Sequence, residues 1–167
     1  MMAPRGTATD WLVALGLAFG VAAIAGGLTV LDDWYYNLEQ PWFKPPDLLF
    51  GPAWTTLFIL MAWSGVLAWR TAAEDELSLS ARRARLLLLW ALNGLANMGW
   101  SLLYFYLQRP DWALAEVVVL WLSIVLLIRH TMRYNKRAAL ILWPYLAWVS
   151  FAAMLNLATV VLNAPFV

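Results

Sequence analysis

The stretch WLVALGLAFGVAAIAGGLTVLDDWYYNLEQPWFKPPDLLFGPAW, residues 11–54, decides how this chain is built. Its first half, 11–31, is an apolar run with no charged residue. A hydrocarbon core about 30 Å thick needs roughly 20 helical residues to cross it, and the run is long enough. Asp32 and Asp33 then read as its end. Beyond them, Gln40-Pro41 and Lys44-Pro45-Pro46 impose an extended, non-helical backbone. Gly51-Pro52 opens a second apolar run, with proline where its missing N–H costs least. Between the runs lie Trp34, Tyr35, Tyr36, Trp42 and Phe43, far more aromatic surface than a simple turn requires.

Working outward, further apolar runs occupy 51–70, 86–107, 112–129 and 138–162. The whole chain is 63% hydrophobic and 13% charged, with mean hydropathy +0.69, too apolar for an ordinary soluble domain. The runs lack the apolar/polar alternation of a membrane barrel, and a helix satisfies its own backbone in lipid. The expected fold is an all-α membrane protein: one domain over 1–167, a bundle of five transmembrane helices with a long structured first loop. Ala23-Ile24-Ala25 resembles a signal cleavage site, but Asp10 directly precedes the run, so a retained first helix is the reading.

Composition also excludes chemistry. With no cysteine, thiolate metal sites and cysteine nucleophiles are ruled out. A single histidine, His130, rules out haem held between two histidines; it reads as a solvated interfacial residue. A net charge of +1 gives no case for nucleic acid. Glu116 lies about one turn into the fourth run and reads as reaching the interface, so no acid is expected mid-membrane as a proton relay. No metal site or required cofactor is expected. The basic residues are lopsided: Arg5, Arg70, Arg82, Arg83, Arg85, Arg129, Arg133, Lys136 and Arg137 on one side, Lys44 and Arg109 on the other. Positive-inside asymmetry places the N-terminus and loops 2 and 4 in the cytoplasm.

Two helical faces stand out. Asn93, Asn97, Trp100 and Tyr104 fall on one narrow face of the third run, and Tyr145, Trp148, Ala152, Asn156, Thr159 and Asn163 on one face of the fifth. Amides in hydrocarbon are costly, so both faces should turn inward. Interhelical hydrogen-bond glue and a ligand cavity both fit; the accompanying aromatics, with Ala152 leaving space beside Trp148, favour the cavity. Gly16, Gly20, Ala23 and Gly27 form a small-residue stripe on the first helix, suited to packing within the bundle or between two copies.

The segments WYYNLEQPWFKPP, FGPAWTTLF, NMGW and PYLAWVSFAAMLN, in this order, resemble the TspO/MBR family of bacterial tryptophan-rich sensory proteins and mitochondrial translocator proteins. The resemblance runs from the first helix to Asn163. It implies a five-helix bundle, commonly a homodimer in a bacterial inner or outer membrane, with a pocket covered by the first loop. It implies tetrapyrrole ligands such as protoporphyrin IX or haem, with sterols or isoquinoline-type drugs as other small hydrophobic ligands. By motif it carries Trp34, Tyr35, Trp54, Asn97, Trp100, Tyr145, Trp148 and Ala152 into the pocket, to which position and the two faces add Asn93, Trp143 and Asn156. An enzymatic alternative, light-dependent porphyrin degradation, would use Trp54 and Trp148. Two departures matter: Gln40 replaces a frequent lysine, and 152–167 holds neither Lys nor Arg to complete the mammalian cholesterol motif, so cholesterol binding is not carried over.

Overall fold

The computed structural model describes residues 8–166, so Arg5 lies outside the described residues. The elements are α1 (Ala8–Leu28), α2 (Asp33–Asn37), a 3-10 turn (Asp47–Leu49), α3 (Phe50–Arg70) and α4 (Glu76–Ser101), which a π-helical turn (Leu102–Tyr106) continues. Then follow α5 (Pro110–Met132), α6 (Lys136–Ile141) and α7 (Trp143–Asn163). There is no strand among the described residues. Five segments are long and apolar enough to cross a membrane: Ala8–Leu28, Asp47–Arg70, Glu76–Tyr106, Pro110–Met132 and Lys136–Asn163. They are numbered below as spans one to five.

The boundaries differ from the sequence reading where local chemistry outweighs hydropathy. Span one stops at Leu28, not at the aspartates, just after the weak helix formers Gly26 and Gly27. Asp32 instead starts α2, its Oδ1 accepting from the Tyr35 N–H at 3.2 Å as an N-cap. The aromatic start of the loop is therefore helical, while the proline-bearing part is not. Span three begins at Glu76 rather than 86 because Asp75 caps it, accepting from the Ser78 N–H at 2.8 Å. Span five breaks at Leu142, since Pro144 has no N–H to continue the ladder from α6 into α7.

Packing orders the spans around the bundle as one, two, five, four, three, and back to one. Span two packs closely on α6 but hardly on α7, so spans two and five close together at one end and splay toward the first loop. At the closed end, the carbonyls in the last turn of α3 and just beyond it are taken up by other elements. Arg83 donates to the Trp69 carbonyl at 3.1 and 3.2 Å, Arg82 donates to the Thr71 and Ala72 carbonyls, and Asn135 Nδ2 donates to the Leu67 carbonyl at 3.2 Å. Arginine near a helix C-terminus also meets its negative dipole end. His130 belongs to this knot: it is buried, not solvated, its Nε2 lying 3.3 Å from the Arg82 carbonyl.

The small residues divide. Gly94 of span three packs on Val21 of span one, where an added Cβ would sit 3.1 Å from Val21 Cγ2. Gly16, Gly20 and Gly27 have no such neighbour within 4 Å, so the stripe on span one faces away from its own bundle.

Candidate functional site

Two sites of different character emerge from the inward faces. The first is a polar core. Asn93 and Asn97 are buried, and both bond to the buried Tyr145 hydroxyl: Asn97 Nδ2 donates to it at 3.2 Å, and it donates to Asn93 Oδ1 at 3.2 Å. Asn93 Nδ2 donates in turn to Ser123 Oγ at 2.8 Å. Nearer the loop, Asn156 bridges the first turn of α5. With its amide oriented to satisfy its neighbours, Nδ2 donates to the Pro110 carbonyl at 2.9 Å, and Oδ1 accepts from Leu114 N at 3.1 Å and Trp100 Nε1 at 3.3 Å. Tyr104 donates to Thr159 Oγ1 at 3.2 Å, completing a ladder between spans three, four and five. The amides of both faces thus bond protein groups, which is what buried amides in lipid require.

Glu116 joins the same interior. Its side chain turns against Gly99, whose added Cβ would lie 3.8 Å from Oε1, and its Oε2 is buried without a hydrogen-bond partner. The sequence reading sent it to the interface. Gly99 leaves the space that lets it turn inward instead.

The second site is an apolar groove of about 750 Å³ where spans two and five splay. Leu49, Pro52, Ala53 and Thr56 form one wall, and Pro144, Ala147, Trp148 and Phe151 the other, with Pro45 of the loop also lining it. Each wall has the spacing of one helical face. Trp148 is its centre: its ring lies 5.8 Å from both Phe50 and Phe151 and 6.5 Å from Trp54, nearly perpendicular to the last. Trp54 reaches on to Tyr145 at 6.3 Å, so an aromatic chain joins groove to polar core. The Trp148 Nε1 is buried and has no hydrogen-bond partner.

The first loop is built as a cover. Tyr35 is buried, and its hydroxyl donates to Asp47 Oδ1 at 2.8 Å, an atom Lys44 also engages. Burial first, then the Asp47 carboxylate, push the Tyr35 hydroxyl above the ordinary tyrosine range. Asn163 clasps the loop's backbone, accepting from Glu39 N at 2.8 Å and donating to Glu39 O at 2.9 Å. On the other side Gln108 Nε2 donates to Asp32 Oδ2 at 3.1 Å. Gln108 has a positive φ of 54°, a left-handed conformation uncommon without glycine, and follows the π-helical turn of span three.

Of the residues singled out from sequence, Trp148 lines the groove with Trp54 packed against it, and Asn93, Asn97 and Tyr145 meet in the core. Asn156 and Trp100 bond each other nearby, and Ala152 is buried on the inner face of α7. Trp34 and Tyr35 stand apart from the groove, packed with Tyr104, Ala113 and Phe105 over the end of span three. Trp143 joins neither site and is half-exposed. The sequence reading missed Leu49, Pro52, Thr56, Ala147 and Phe151; their signal is the repeated helical spacing of the two walls.

These features define a class: an integral, multi-pass helical membrane protein with a polar core and an apolar groove edged by Pro45 of the first loop. Comparison with known sequences identifies the particular lineage. The model of the TspO/MBR family matches residues 12–162. The tryptophan-rich protein TspO of Chlorobaculum tepidum is 38% identical over 162 residues, 91% of this chain and 97% of that protein. The tryptophan-rich sensory protein of Cereibacter sphaeroides is 34% identical over 156 residues, 92% of this chain and 93% of its own. The translocator protein of Sus scrofa is 29% identical over 159 residues, 89% of each chain. The chain belongs to the TspO/MBR family.

Proposed function

We propose that this protein binds a tetrapyrrole, protoporphyrin IX or haem, in the groove between spans two and five beneath the first loop, in a sensory or translocating role. The observation that carries this reading is the groove itself. Its volume of about 750 Å³ falls within the 300–1,000 Å³ common to small-molecule sites. Its walls are apolar and aromatic, suited to a flat hydrophobic ring, with the Trp148 indole at their centre. The names of the relatives, sensory and translocator, support reading the role in those terms.

Protoporphyrin IX added to purified protein should quench tryptophan fluorescence with saturation. Trp148→Ala should weaken that binding about tenfold or more, as loss of a central aromatic anchor does. Unchanged affinity in both Trp148→Ala and Phe151→Ala would remove the groove as the site. Displacement by a sterol at equal concentration would shift the reading to sterol or lipid binding.

One observation favours a second reading, light-dependent degradation of the bound porphyrin. The oxidisable rings of Trp54 and Trp148 lie 6.5 Å apart, the second lining the groove. Under illumination the porphyrin absorbance should fall, and more slowly in Trp54→Phe and Trp148→Phe. Equal rates in parent and variants would dismiss the role of these indoles. The N-terminus and loops 2 and 4 are proposed to face the cytoplasm, and the open Gly16/Gly20 face of span one supports a homodimer.

A further inference from the structure

The two ends of the bundle treat their cations differently. At the loop end both basic residues are neutralised within the chain: Lys44 by Asp47, and Arg109 by Asp111, its Nη2 2.6 Å from Oδ2. At the opposite end three arginines are likewise committed. Arg70 Nε lies 2.9 Å from Asp10 Oδ2, while Arg82 and Arg83 bond the carbonyls that end α3. Five others, Arg85, Arg129, Arg133, Lys136 and Arg137, are exposed, and among the described residues no carboxylate forms an ion pair with them. The other acids of that end, Glu74, Asp75 and Glu76, lie in and just after the other connection, where Asp75 is occupied with Ser78.

The five cations are grouped by the fold. Arg129 is in the last turn of α5, Arg133 caps it, and Lys136 and Arg137 begin α6. Arg85 comes from α4 and, with Arg82 and Arg133, lies close enough to His130 for its charge to act on that ring. Arg129, Arg133, Lys136 and Arg137 stand at the facing ends of spans four and five, and Arg85 directly precedes the apolar stretch of span three that begins at Leu86. These positions set the five at headgroup depth, where long stems lie along hydrocarbon and the charged tips meet phosphate.

We propose that this end is a binding surface for the phosphodiester headgroups of anionic phospholipid, formed by the exposed cations at the ends of spans four and five together with Arg85 of span three. The proposal is independent of any ligand in the groove. The partner is argued from charge and depth: five uncompensated cations stand where lipid phosphates lie, each contributing about fivefold to anionic lipid binding. Salt screens such attraction.

The test uses the full-length protein in detergent micelles, titrated with dansyl-phosphatidylglycerol or dansyl-phosphatidylcholine and read by energy transfer from tryptophan. The anionic lipid should bind at least tenfold tighter, and that preference should shrink as salt rises. The quadruple variant R129Q/R133Q/K136Q/R137Q should bind both lipids alike, whereas R129K/R133K should keep the preference. Inorganic phosphate at millimolar concentration should leave the lipid signal unchanged. Equal binding of the two lipids by the parent would overturn the proposal, as would an unaltered preference in a quadruple variant of parental circular dichroism. Displacement by free phosphate, or by an acidic peptide at micromolar concentration, would reassign the surface to those partners and overturn it as well.

Discussion

At the scale of single residues, Tyr145 and Trp148 show how close neighbours on one helix serve different ends. Tyr145 faces inward and holds Asn93 and Asn97, whereas Trp148 faces the groove. Tyr145→Phe removes a hydroxyl that bonds both amides. It should lower stability by roughly 1–2 kcal/mol, the upper range for such bonds in membranes, read as thermal unfolding in micelles. Trp148→Ala should instead act on ligand affinity. A Tyr145→Phe variant as stable as the parent would show the amide core to be energetically idle. Glu116 makes the opposite case. Its buried Oε2 lacks a partner, so Glu116→Met, which removes the unpartnered carboxyl at similar volume, should raise stability by about 1 kcal/mol. A lowered unfolding temperature would point instead to an essential interaction of the carboxyl.

At the scale of elements, the first loop behaves as a folded piece rather than a tether. Its short helix α2 is capped by Asp32, docked on the end of span three through Tyr35, and clasped by Asn163 at the end of span five. Asn163→Ala removes both bonds to Glu39 and should cost about 1 kcal/mol of local stability. The loop over 33–46 should then exchange its amide hydrogens several-fold faster while the spans remain protected; unchanged exchange would mean the clasp does not hold the cover. The two groove walls illustrate why elements hide function in lipid. Leu49, Pro52, Ala53 and Thr56 share one spacing, and Pro144, Ala147, Trp148 and Phe151 repeat it, yet only Trp148 among them reads as a pocket residue from sequence. A bilayer and an apolar ligand select the same side chains, so periodicity cannot tell them apart. The amide faces were legible for the converse reason: Asn93, Asn97 and Asn156 cannot face hydrocarbon without cost.

At the scale of the whole molecule, the bundle is closed at one end by arginine and asparagine caps and splayed at the other beneath a tyrosine-pinned cover. That arrangement sets a pH dependence. The folded Tyr35 holds its proton more tightly than an unfolded tyrosine, so its contribution to closure is complete below about pH 10, the ordinary tyrosine value. As pH rises beyond that value the unfolded or opened state loses its proton first, and closure weakens. Proteolysis within 33–46 should therefore accelerate above about pH 10, and Tyr35→Phe should flatten this dependence by removing the ionisable group. A dependence of equal steepness in the variant would place the titration elsewhere.

The sequence by itself determined the five spans, the inward amide faces and the family. Each follows from a rule acting on local residues: hydrocarbon thickness sets span length, and the cost of an unbonded amide sets its face. Only the tertiary structure decided that Tyr35 serves the cover and not the groove, that Trp143 stands outside both sites, and that Glu116 and His130 turn inward. It also decided which arginines cap α3 and which remain exposed. These outcomes depend on what arrives from distant parts of the chain: Asp47 beside Tyr35, Gly99 opposite Glu116, and the Arg82 carbonyl beside His130. A side chain's periodicity shows which way it points on its own helix, but its function here was set by what stood across the gap.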